Sequence, residues 1–109
     1  KTGAEQLSQF EIEQAYRDLL VAETNVASRD RDVKTTGEWL RTEQINFDLG
    51  FGDTENLIEA VRANLEAEAR YFEAVQQYNT AVLRLFDATG TLTQRIRDGM
   101  LLETTQEDE

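Results

Sequence analysis

The side chains here that could do chemistry are carboxylates. The 109 residues hold twenty-two Asp and Glu against eleven Lys and Arg, with no histidine and no cysteine. Glu55, Glu59, Glu66 and Glu73 fall at helical spacings and offer carboxylates along one helix. An iron site in a helical bundle normally takes Glu-x-x-His pairs, and there is no histidine to complete one. The same absences remove most hydrolytic triads and most transition-metal sites. The residues therefore point to no enzyme and to no cofactor. The acids are also spread out: residues 1–49 carry ten acids and six bases, 50–90 seven and three, and 91–109 five and two. No face gathers enough Lys and Arg to follow a phosphate backbone, which argues against a nucleic-acid partner. Spread negative charge of this kind keeps a helical protein soluble. The alternation Arg29-Asp30-Arg31-Asp32 reads in the same way, as a solvated helix face.

A second cluster is chemically plainer and more informative. Phe47-Asp48-Leu49-Gly50-Phe51-Gly52-Asp53-Thr54 is the strong break between two long segments that both read as helix. Gly50 and Gly52 can take the positive φ that ends a helix. Asp53 or Thr54 can cap the next helix by accepting from its first free N–H groups. The chain thus reads as all-α, a long antiparallel helical hairpin. Helices are expected at about 4–49 and 54–89, around a tip at 50–53. No proline interrupts either segment.

In the first helix Ile12, Leu19, Val26, Val33, Leu40 and Phe47 recur every seven residues, the mark of a coiled-coil stripe. The flanking column reads Ala15, Ala22, Arg29, Thr36, Glu43, so the seam is well filled early and thin later. Leu7, Phe10, Tyr16, Leu20, Val21, Trp39 and Ile45 sit off it and imply a second contact surface. Thr35-Thr36-Gly37 is the weakest helical stretch; two β-branched residues and a glycine cost about 1–2 kcal/mol relative to alanine. A local bend is expected there.

The second helix carries four contiguous apolar or small columns. They are Ile58, Leu65, Phe72, Asn79, Phe86; Val61, Glu68, Val75, Val82, Thr89; Leu57, Asn64, Tyr71, Tyr78, Leu85; and Ala60, Ala67, Ala74, Ala81, Ala88. One partner helix needs only one narrow seam. The unbroken alanine column lets a neighbouring helix approach closely and marks a helix-packing interface. Asn79 interrupts the bulkiest column, where a polar residue either fixes register or meets solvent. Thr89-Gly90 is expected to end the helix. Residues 91–102 are then a short helix or linker, and the acidic residues 103–109 are expected to be disordered. So much apolar surface on a hairpin predicts packing against further helices, from other copies or from the rest of a longer protein. No apolar run approaches the roughly 20 residues of a membrane-spanning helix. Lys1-Thr2-Gly3 leads straight into amphipathic sequence with no visible secretory signal, so the chain reads as a mature piece or an excised fragment.

The segment Asn46-Phe47-Asp48-Leu49-Gly50-Phe51-Gly52-Asp53-Thr54-Glu55-Asn56-Leu57-Ile58-Glu59-Ala60 resembles the periplasmic tip of the outer membrane efflux proteins, the TolC-like family. There an aromatic residue precedes a glycine by three, and a hydrophobic residue, a Ser/Thr, an acidic residue and a Val/Leu-Leu-x-Ala helix start follow. Gln77-Tyr78-Asn79-Thr80-Ala81-Val82-Leu83-Arg84-Leu85-Phe86-Asp87-Ala88-Thr89-Gly90 is similar to the family's closing pattern of tyrosine, asparagine, alternating Ala/Leu and Ala-Thr-Gly. Together the resemblance covers residues 10 to 92.

The resemblance implies a non-catalytic part of an export system, serving multidrug efflux or type I secretion. Members are trimers with a β-barrel in the outer membrane and an α-helical tunnel across the periplasm. Each protomer has two repeats, each with a hairpin whose tip meets the α-hairpins of a periplasmic adaptor (membrane fusion) protein. Closure and opening of the tips gate export. This chain would supply one such hairpin, placed in the periplasm, with Gly50, Phe51, Gly52, Asp53 and Thr54 as the adaptor contact. The nearness of Gly90 to an acidic chain end points to the second repeat. Contact with the membrane would come only through barrel segments that this sequence lacks. Asp53 and Asn56 depart from the family's usual Ser/Thr and Asp. The competing reading is a scaffolding coiled coil or helical bundle without transport function.

Overall fold

A computed structural model describes residues 3–107 and the side chains of residues 9–100. The side chain of Leu7 and the last two residues of the expected acidic tail, 108 and 109, lie outside the described residues. The fold is all-α: helix α1 spans Gly3–Asp48 and helix α2 spans Thr54–Glu107, joined by a short tip. Contacts group the chain into two compact units, one of Ala22–Tyr78 and one of Lys1–Val21 with Asn79–Glu109.

In the tip-bearing unit, 22–78, the seam is built from the stripe and the alanine column. Ala22, Ala60, Ala67 and Ala74 are buried, Ala60 completely at 0% exposure. Val26, Arg29, Val33, Thr36, Leu40 and Glu43 of α1 and Leu57, Asn64, Tyr71 and Tyr78 of α2 are half-buried around them. The alanine column is therefore the inward-facing one, and the 57/64/71/78 column stands beside it. Phe47, the expected last member of the α1 stripe, is instead exposed. One heptad before Leu57 the chain is tip rather than helix, so no turn of α2 stands level with it.

The Thr35-Thr36-Gly37 stretch stays within continuous helix. Thr36 Oγ1 donates to the Asp32 carbonyl at 2.8 Å, with the Val33 carbonyl at 3.2 Å. It accepts a hydrogen bond from Asn64 Nδ2 across the seam at 3.1 Å. The locally weak stretch is thus where α1 is tied to α2. Asn64, not Asn79, is the polar residue that α2 brings to the seam beside Arg29, Thr36 and Glu43 of α1; Asn79 is exposed, as expected of a column that turns to solvent. Asp30 pairs with Lys34 at 3.0 Å, and Arg29, at the edge of the seam, with Asp32 at 3.5 Å; all four side chains keep contact with water.

In the second unit Ala15 and Ala81 are buried, and Ile12, Leu19, Leu85, Ala88 and Leu92 half-buried. Here the structure corrects the expected stop at Gly90. Helix α2 runs through Thr89-Gly90 to Glu107, so residues 91–102 are not a separate short helix or linker and 103–107 are helical. The reason is packing. Leu85, Ala88 and Leu92 continue the seam across the glycine, and a mid-helix glycine costs only about 1 kcal/mol. The threonines on either side also serve the helix: Thr89 Oγ1 donates to the Leu85 carbonyl and Thr93 Oγ1 to the Thr89 carbonyl.

Among the described residues no large side chain is fully buried. The buried hydrophobic residues are Ala15, Ala22, Ala60, Ala67, Ala74 and Ala81. A methyl group removed from water contributes only about 0.8 kcal/mol. The seam brings two backbones close but leaves most of the chain's apolar surface outside it.

Candidate functional site: the hairpin tip and the outer face of α2

The tip is held by two glycines that do different work. The helix α1 ends as its last carbonyls turn inward: the Gly50 N–H donates to the Phe47 carbonyl at 3.0 Å and the Phe51 N–H to the Asn46 carbonyl at 2.9 Å. That nested pair is a Schellman closure, which requires a left-handed residue at the position of Gly50. Gly50 has φ of 83°, and among the described residues no non-glycine residue has positive φ. Gly52 does not share that conformation, contrary to the expectation that both glycines would. Its role is close approach. Its N–H donates to the same Asn46 carbonyl at 2.9 Å. A Cβ on it would lie 2.6 Å from the Phe47 amide nitrogen and 2.9 Å from the Phe47 Cα. The backbone at Gly52 thus folds down onto the last turn of α1.

Of the two possible caps, Asp53 is the one used. Its Oδ1 accepts the Glu55 N–H at 3.1 Å, and its carbonyl accepts the Leu57 N–H at 3.1 Å. Thr54 is the first residue of α2 and is exposed. An aspartate here also places negative charge at the positive end of the helix dipole. Asp53 therefore holds the start of α2 and keeps the turn.

Phe51 is what this construction displays. In a Schellman closure the residue after the left-handed one usually packs back on an apolar side chain of the last helical turn. Phe51 occupies that position and is 84% exposed. Leu49 beside it and Phe47 and Ile45 on the last turns of α1 are exposed too. Together they give a rigid turn with an apolar tip. Turns are ordinarily polar, because their backbone groups and side chains face water.

The second exposed feature runs along α2. Ile58, Val61, Leu65 and Phe72 are exposed in the tip-bearing unit, and Val82, Phe86, Ile96 and Met100 in the other. Within the tip-bearing unit the steps are three, four and seven residues, and within the other four, ten and four, which keep one helix face in each, the pattern of a helix-packing seam. It is a second seam, separate from the alanine column. The bulkiest column of the helix is the outward one, which apolar content alone did not reveal. On the remaining side of α2 Glu55, Glu59, Glu66 and Glu73 are all exposed, and among the described residues no three carboxylates gather as a metal site would require. Among the described residues no helix is long and apolar enough to cross a membrane.

The sequence-predicted tip residues Gly50, Phe51, Gly52, Asp53 and Thr54 are thus brought together in one turn. The alanines Ala60, Ala67, Ala74 and Ala81 are buried in the seam and Ala88 is half-buried. Sequence reasoning missed Leu49 as part of the exposed tip and Asn64 with Thr36 as the tie across the seam. The first had a signal in its place next to Gly50. The second needed the facing column to be known. No protein-family model matches this chain, and no curated protein or solved structure matches it either.

Proposed function

We propose that this chain is a periplasmic tunnel hairpin of a TolC-like outer membrane export channel. In this reading its tip docks a periplasmic adaptor protein and takes part in gating. The observation that carries the reading is Phe51, an apolar ring 84% exposed on the turn that joins the two helices. The outer stripe of α2 supports it, because a tunnel wall needs each hairpin to present a second seam to its neighbours. In the full-length protein those neighbours are other copies in a trimer. The work of the hairpin is mechanical: it seals, docks and moves, without a cofactor and without catalysis.

The stripe makes the assembly testable in the isolated chain. Burying one Leu or Phe side chain contributes about 1.5–3 kcal/mol. Light scattering of the chain at micromolar concentration is expected to show association. The double variant L65D/F72D, altered only at exposed positions, is expected to scatter as a monomer of lower helicity. A parent chain that is a fully helical, stable monomer removes the argument from the stripe.

The second reading, a scaffolding coiled coil, rests on the heptads alone. The full-length reading frame separates the two. The export reading expects segments of alternating polarity, the pattern of barrel strands, on both flanks of the hairpin. Heptads that simply continue would replace it with the scaffold.

A further inference from the structure

Helix α2 has two apolar faces to choose from, and it turns the poorer one toward α1. The inward columns hold Ala60, Ala67 and Ala74 with Leu57, Asn64, Tyr71 and Tyr78, while Ile58, Val61, Leu65 and Phe72 stay outside. Phe72 alone keeps 65% of its surface exposed. Apolar burial taken by itself favours a hairpin in which α2 is rotated about its axis, with the Ile/Leu/Phe column facing α1. Something has to hold the observed face inward.

We propose that the hydrogen bond between Asn64 and Thr36 is a face-selecting latch, which acts together with the close backbone approach along the alanine column to set the rotation of α2 and keep its bulky stripe available on the outside. Three observations converge on it. Asn64 is half-buried in the inward column, and its Nδ2 donates to Thr36 Oγ1 at 3.1 Å. The Thr36 hydroxyl spends its own proton on the Asp32 carbonyl at 2.8 Å, so its oxygen is oriented to accept. Gly37 next to it leaves room: even a Cβ there would lie 3.7 Å from Asn64 Nδ2. Rotating α2 would carry Asn64 away from this acceptor and bring apolar side chains against the half-buried Thr36 hydroxyl. A buried polar residue at one seam position is a known way to choose one packing over a more hydrophobic competitor. The latch acts whether the outer stripe meets another copy or a different helix.

Because the chain has no cysteine, engineered pairs can report the facing side. Val26 and Ala74 lie equally far along their helices from Thr36 and Asn64, and both belong to the seam. The pair V26C/A74C reports the observed face, and V26C/F72C the rotated one. Only products that run as single chains under non-reducing conditions are counted, which separates these cross-links from bridges between associated chains. In the full parental chain the 26–74 cross-link is expected to form in large preference to 26–72. In N64L, which keeps the helix and adds apolar burial, that preference is expected to fall by about two- to tenfold, the shift that one hydrogen bond of about 0.5–1.5 kcal/mol can produce. T36V is expected to shift in the same direction, and T36S, which retains the hydroxyl, to keep the parental preference. An unchanged preference in both N64L and T36V overturns the latch. So does a T36S chain that shifts as far as T36V.

Discussion

Gly52→Ala is expected to destabilise the hairpin by about 2–4 kcal/mol, although the substitution adds one methyl group near the surface. The added Cβ would meet the Phe47 nitrogen at 2.6 Å, the Phe47 Cα at 2.9 Å and the Asn46 carbonyl carbon at 3.0 Å. All three are backbone atoms, so no side chain can swing aside. The tip must open, which breaks the hydrogen bonds from Phe51 and Gly52 to the Asn46 carbonyl, at about 1 kcal/mol each. A thermal midpoint lower by roughly 10–20 °C follows from the usual scaling for a chain of this size. Gly50→Ala is a sharper control than it looks. A Cβ there meets nothing within 4 Å, so its cost is only the left-handed conformation, about 1–2 kcal/mol. The order of the two variants, Gly52 worse than Gly50, distinguishes a close-approach glycine from a conformational one. Equal effects would contradict this account of the tip.

Much of the architecture was legible because its causes are local. Two unbroken heptad patterns without proline, separated by a stretch with two glycines and a capping aspartate, specify a hairpin with little ambiguity. The tip was located to within one residue for the same reason, Leu49 belonging to it and not to the first helix. What escaped the sequence depended on the partner side of each choice. Gly90 carries the local signal of a helix end, yet Leu85, Ala88 and Leu92 pack on both sides of it and the helix continues. The unbroken alanine column marked a packing interface, and it is the column buried in the seam. Which of the three bulkier columns stands beside it was not written in their composition. Asn79 carried the polar signal because it interrupts the bulkiest column, and the role of Asn64 became visible only with the facing Thr36.

The same logic separates the fold of the tip from its use. Every residue that closes the turn does so through backbone atoms or the Asp53 carboxylate; Phe51 contributes only its N–H. Its ring is therefore free to be replaced without loss of structure. A buried apolar contact at the centre of an interface, by contrast, commonly costs 2 kcal/mol or more when removed, and a charge placed there costs more still. Phe51→Asp is expected to leave helicity and thermal midpoint close to the parent and to abolish docking.

The central claim is that this tip docks an adaptor in an export pathway, and a drug-sensitivity assay of cells carrying Phe51→Asp in the full-length protein tests it most directly. The account predicts sensitivity equal to that of cells without the protein, with the variant present at normal levels and fully helical. Export at the parental level by such a variant would contradict it.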